Sequence, residues 1–147
     1  MVKRSKRLEP VKDLVDKVER GQAERLALVQ RRLAEAQTRQ LELERYVQDY
    51  QQMFQSKATR GINVAGLRDY QVFIARLQEA VQQQSGAVQR LNEEMQRERS
   101  QWIEAAARKN AVGKVMAKAH AEDRHRDERR LQNEIDERAQ RQRGARP

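Results

Sequence analysis

Apolar residues in the first third of the chain recur at alternating steps of three and four. The series runs Leu8, Val11, Val15, Val18, Gln22, Leu26, Val29, Leu33, Ala36, Gln40, Leu43, Val47, Tyr50 and Phe54. Only Gln22 and Gln40 are polar. The alternation breaks once, with two consecutive four-residue steps at Val18–Gln22–Leu26, beside Gly21. Such a stripe is the seam of a coiled coil, with a stutter where the spacing slips. A second series keeps the alternation throughout: Leu67, Tyr70, Ile74, Leu77, Val81, Gln84, Val88, Leu91, Met95, Glu98, Trp102, Ala105, Lys109, Val112, Met116 and Ala119. A disordered chain has no reason to sustain this order, so residues 8–119 are predicted to be helical.

The two seams are separated by Ala58 to Gly66, which holds Gly61, Gly66 and a potential N-cap at Asn63. A short turn between long helices forces them antiparallel. In the register this implies, Phe54 meets Tyr70, Tyr50 meets Ile74, Val47 meets Leu77, Leu43 meets Val81, Leu33 meets Leu91 and Val29 meets Met95. Gln40 then falls opposite Gln84, where the two amides are expected to bond and fix the register. The predicted fold is all-α: a long antiparallel two-helix coiled-coil hairpin with a C-terminal helical overhang. Its parts are a basic segment over 1–7, a first helix over 8–57, a turn over 58–66, the paired part of the second helix over 67–119, and a polar overhang with a basic tail over 120–147. The first helix, of about 50 residues, is expected to be about 75 Å long at 1.5 Å per residue. Beyond Ala119 only Leu131, Ile135 and Ala139 keep helical spacing, so the overhang is expected to fray or to be ordered by a partner.

Composition narrows the picture. With 37% of residues hydrophobic and 36% charged, the chain cannot wrap a thick core, but it can bury a stripe between helices. There is no cysteine, which removes disulfides and thiolate chemistry. No apolar run approaches the roughly 20 residues of a membrane span, and the basic start lacks a following apolar region, so a cytoplasmic protein is expected. The net charge of +9 is concentrated at the ends, in Lys3, Arg4, Lys6 and Arg7 and in Arg138, Arg141, Arg143 and Arg146. Such ends favour acidic or polyanionic contacts.

Catalytic constellations are missing. His120 and His125 lie five apart, which is not a helical metal-pair spacing, and Glu93–Glu94 and Glu122–Asp123 have no pocket to raise a pKa. There is no Gly-rich phosphate loop and no nucleophile–base grouping. The sequence therefore points to a protein that binds others, with no catalytic site, cofactor or metal.

Aromatic residues are the natural interface anchors. If Val47 and Ile74 are a positions of the heptad, then Tyr46 and Met53 are g positions on the first helix, and Phe73 and Ala80 are g positions on the second. In an antiparallel pair the two g rows share one flank, so these four residues are predicted to form an apolar patch. The opposite flank carries Gln37, Glu44 and Gln51, with Gln71, Gln78 and Ser85 across from them. A two-helix structure has no third layer to cover Tyr46 and Phe73, so the patch is expected to bind a partner.

The chain resembles the flagellar type III export protein FliJ. That family carries Leu-x2-Tyr-x3-Tyr before its turn and Phe-x3-Leu-x2-Ala after it. This sequence has Leu43, Tyr46 and Tyr50, then Phe73, Leu77 and Ala80. Trp102 followed by Ala105 and Lys109, and the late Asp136-Glu137-Arg138-Ala139, extend the likeness. In the family a Gln precedes the first motif and a His follows the second, where this chain has Arg39 and Gln84. The resemblance implies a stalk-like role at the flagellar export ATPase, similar to the gamma subunit of rotary ATP synthases. It implies that the terminal parts engage the ATPase ring, FliI, with Lys3, Arg4, Lys6, Arg7, Asp136, Glu137 and Arg138 as contacts. It also implies that Leu43, Tyr46, Tyr50, Phe73, Leu77 and Ala80 meet the linker of the export-gate protein FlhA, and that export chaperones are handled as well. The implied location is peripheral, at the inner-membrane export apparatus. Two alternatives stand beside this reading: the stalk protein of a virulence type III secretion system, and a basic coiled coil that binds nucleic acid.

Overall fold

The computed structural model describes residues 3–145. These form two helices packed against each other, α1 (Arg4–Arg60) and α2 (Val64–Gly144), with no strand among the described residues. The fold is an all-α helical hairpin, as the two stripes predict.

The turn is tighter than the predicted 58–66, because both helices have strong end signals. Gly61 adopts φ 88°, a left-handed conformation that costs glycine little, and the Ile62 amide donates to the Lys57 carbonyl at 3.2 Å. This closes α1 as a Schellman motif. The next residue starts α2: Asn63 Oδ1 accepts the Gly66 amide at 2.8 Å, and Asn63 O accepts the Leu67 amide at 3.1 Å. A Cβ on Gly66 would lie 2.9 Å from Ile62 Cδ1 and 3.0 Å from the capping Asn63 Oδ1, so the missing side chain makes room for the cap.

Two compact units share these helices. The turn unit is Ala23–Gln101, and the terminal unit joins the segment up to Gln22 to that from Trp102 onward. In the turn unit Val29 and Leu33 are buried, and the rest of both predicted stripes is half-buried. The Phe54 and Tyr70 rings stand 6.3 Å apart, in the layer the register assigns them. The glutamine pair is a correction. Gln84 Nε2 donates at 2.9 Å to the main-chain oxygen of Ala36, while Gln40 Nε2 turns along its own helix to Glu44 at 3.4 Å. A helical carbonyl keeps a second lone pair, so Gln84 finds an acceptor without Gln40.

The terminal unit corrects the stutter. Its α1 stripe is Ser5, Leu8, Lys12, Val15, Glu19 and Gln22, an unbroken alternation of three and four that continues the a and d rows. Val11 and Val18 fall just outside it, each 44% exposed. Charged residues can hold seam positions here because they find partners. Glu19 accepts a hydrogen bond from Trp102 Nε1 at 3.2 Å and lies 3.6 Å from Lys109 Nζ, while Lys12 pairs with Asp16 at 3.0 Å. Facing them, α2 buries Ala105, Met116 and Ala119.

Helix α1 also begins earlier than Leu8, even though Pro10 removes one main-chain donor inside it. Contacts with α2 hold that first turn. Asp123 accepts both the Ser5 hydroxyl, at 2.5 Å, and the Ser5 amide, at 3.4 Å, and both residues are buried. Pairing therefore extends past Ala119, where the sequence stripe fades. From Arg124 to Gly144 α2 stays helical, with every side chain exposed. Arg146, counted in the basic tail, lies outside the described residues.

Candidate functional site

The patch in the turn unit forms as the heptad places it. Tyr46 is 55% exposed, Met53 45% and Phe73 41%, all large apolar side chains left in water. Ala80 is half-buried beside them, and Leu43, Tyr50 and Leu77 sit half-buried in the seam. Phe73 packs its ring against Tyr50 with centroids 4.6 Å apart and planes at 63°, the edge-to-face geometry that aromatic quadrupoles favour. Tyr50 thus supports the surface from beneath, while Tyr46 and Phe73 present it. An open recess of about 350 Å³ lies there, lined by Tyr50, Asp69, Tyr70 and Phe73. Lys57 Nζ sits 5.0 Å from the Tyr70 ring centroid, within cation–π range. The recess has three aromatic walls and one carboxylate, Asp69. Sequence pattern alone did not single out Asp69 or Lys57, because neither lies on the apolar stripe.

The basic start is not a free cationic arm. Lys3 Nζ pairs with Asp127 at 2.8 Å and Arg4 with Glu122 at 3.3 Å, both between largely exposed side chains. Hydrogen bonding to Asp127 raises the Lys3 pKa above its ordinary value. Lys6 and Arg7 remain exposed. The bonds of the start run to residues 122–127, and Asp136 instead accepts from Gln132 at 3.2 Å on its own helix. Asp136, Glu137 and Arg138 are exposed on α2, and among the described residues they share no bond with the N-terminal cations. The terminal unit also exposes Val11, Leu14 and Val18 on α1 and Val115 on α2. Val11 and Val115 are g positions, on the flank where Arg4 meets Glu122. The stripe concealed this second apolar surface by drawing Val11 and Val18 into the seam.

Asp123 is the clearest electrostatic lock. Its hydrogen bond from the Ser5 hydroxyl, aided by the Ser5 amide and by nearby Lys3, holds its carboxyl below the usual carboxylate range. The native state therefore takes up this proton only at lower pH than the unfolded chain. The stabilisation is complete above the ordinary carboxylate pKa and is lost as pH falls through the depressed native one. Asp123→Asn is expected to speed amide hydrogen exchange at residues 5–9 and to flatten this acid-side dependence. Unchanged protection of those amides would show that Asp123 does not hold the start of α1.

Among the described residues no group of His, Cys, Asp and Glu is placed to hold a metal ion, and no helix is long and apolar enough to cross a membrane. A protein-family model described as "Flagellar FliJ protein" matches residues 4–147. No curated protein and no solved structure matches.

Proposed function

The chain belongs to the FliJ family of flagellar type III export components, and from that premise we propose that it is the stalk-like subunit that binds and stimulates the export ATPase ring, FliI, and couples it to the export gate. In this reading its role is binding rather than catalysis. Tyr46, Phe73 and Ala80, supported by Leu43, Tyr50 and Leu77, meet the linker of the gate protein FlhA. The terminal unit meets the ATPase through Lys3, Arg4, Lys6 and Arg7, with Asp136, Glu137 and Arg138 on the extended part of α2. Export chaperones are further partners, and the site of action is the cytoplasmic face of the inner-membrane export apparatus.

The observation that carries this reading is the exposure of Tyr46 and Phe73 at the family's motif positions, with Phe73 at an open recess that Tyr50 and Tyr70 also line. For the terminal unit, exposed Val11, Leu14 and Val18 share a flank with exposed Arg7, which supplies apolar area together with positive charge. The test is ATP hydrolysis by the purified export ATPase, titrated with this chain. Stimulation by the full chain is expected, and Lys6→Glu with Arg7→Glu should raise the concentration needed for half-maximal effect by about tenfold, the scale of losing two charged interface contacts. No stimulation at any concentration would sink the ATPase half of the proposal.

A further inference from the structure

The g row that carries Tyr46 and Met53 reads, toward the N-terminus within the turn unit, Arg39, Arg32 and Arg25. One heptad rises about 10.5 Å along a helix, so these guanidiniums start from points spread over about 21 Å of one edge of α1. In coiled coils, g positions commonly pair with charges across the seam. In the terminal unit Arg4 and Glu122 do so. The three arginines do not. Across from them in the same register stand Ala87, Glu94 and Gln101, and among the described residues none of the three forms an ion pair, Arg32 with Glu94 included. Arg90 and Arg97, at c positions of α2 on the same flank, are likewise exposed and unpaired among the described residues.

The opposite flank makes the sorting plain. Its corresponding positions are Gln30, Gln37 and Glu44 on α1 and Ser85, Asn92 and Arg99 on α2, largely uncharged. With the outer b positions Ala27, Ala34, Leu41, Gln82, Gln89 and Gln96 counted as well, that flank carries one arginine against five, more sorting than a solvated face requires. Leu28 stands between Arg25 and Arg32 on the same edge, 44% exposed, and Ala87 lies half-buried beside Arg39.

We propose that Arg25, Arg32 and Arg39, with Arg90 and Arg97 beside them, form a docking lane for an acidic amphipathic helix of a partner protein. Heptad-spaced arginines match carboxylates repeated at the same interval on a helix lying alongside, and their planar guanidiniums bind carboxylates bidentately. Leu28, 44% exposed between Arg25 and Arg32, offers that helix an apolar contact. Glu35, Glu42 and Glu94 interleave with the arginines on the same flank. They offset three of the five arginine charges, which weakens the attraction for a continuous polyphosphate.

Fluorescence anisotropy tests it, with the full chain and a labelled helical peptide of about 21 residues whose three identical heptads each place two glutamates and one leucine on one face. Saturable binding is expected at about 150 mM salt, where the Debye length is near 8 Å and distant charges are screened. The Arg25→Gln, Arg32→Gln, Arg39→Gln triple variant should bind about tenfold more weakly, the scale of three exposed ion-pair contacts. The charge-matched Arg45→Gln, Arg68→Gln, Arg99→Gln variant should stay within about twofold, because its arginines lie off the lane. Circular dichroism checks that both retain helix; if the lane variant does not, Arg32→Gln alone, with a loss of about twofold, replaces it. Equal weakening by both triple variants, no binding by the unaltered chain, or tighter arginine-dependent binding of duplex DNA would each overturn the lane.

Discussion

Replacing Tyr46 and Phe73 together by alanine is expected to leave the helices intact and to weaken binding to the export gate by about a hundredfold or more. Truncating a central aromatic anchor costs on the order of 2 kcal/mol, and two such anchors share this surface. Little of that loss should come from unfolding. Tyr46 lies outside the seam and is more than half exposed, so its side chain contributes little to the native state. Phe73 gives up its edge-to-face contact with Tyr50, worth about 0.5–1.5 kcal/mol beyond area burial. The melting temperature should therefore fall by only a few degrees, on the scale of about 2–8 °C per kcal/mol for domains of this size range. Stimulation of the ATPase should survive, since the terminal unit is untouched. Gln37→Ala with Gln78→Ala, on the opposite flank, is the control and should leave gate binding unchanged. Loss of both activities with preserved helicity would argue against separate surfaces. Undiminished gate binding by the double variant would remove the patch from the interface altogether.

The parts of this molecule legible in the sequence are those where one periodic signal has no competitor. The α2 stripe from Leu67 to Ala119 is such a case, and so is the turn, where Gly61 and Asn63 carry end signals that depend only on local backbone geometry. The α1 stripe was ambiguous before Gln22. Two neighbouring rows compete there, one with Val11 and Val18 and one with Lys12 and Glu19, and apolarity favours the first. Continuity of the heptad and the reach of Trp102 and Lys109 decide for the second. Helical order before Leu8 was hidden for a related reason. It depends on Asp123, distant in sequence, accepting the Ser5 hydroxyl and amide. The aromatic patch could be read because g positions follow from the seam. The recess beside it, lined in part by Asp69, and the stacking of Lys57 on Tyr70 depend on rotamers that no pattern encodes.

Glu19→Ala is expected to destabilise the terminal unit by about 0.5–1.5 kcal/mol, the scale of one part-buried hydrogen bond. Trp102 Nε1 loses its hydrogen-bond partner, whereas Lys109, 43% exposed, recovers water and loses less. Replacing Glu19, Lys109 and Trp102 together by leucine, leucine and phenylalanine should reverse the sign. Exchanging a charged seam cluster for packed apolar side chains is typically neutral or stabilising by about 1–4 kcal/mol. The same unit separates the two readings of α1. Val15→Gln puts an amide into the seam and should cost about 1–3 kcal/mol, while Val18→Gln, at a position already 44% exposed, should cost about 0.5 kcal/mol or less. Thermal unfolding with amide exchange at residues 5–22 and 102–123 would measure all four variants. Equal costs at Val15 and Val18 would restore the stutter and remove Glu19 from the seam. The expected ordering instead has a functional consequence. By holding Lys12 and Glu19 inward, the chain turns Val11 and Val18 outward, so the unit accepts a weaker seam and gains an apolar surface on the flank that carries Arg7.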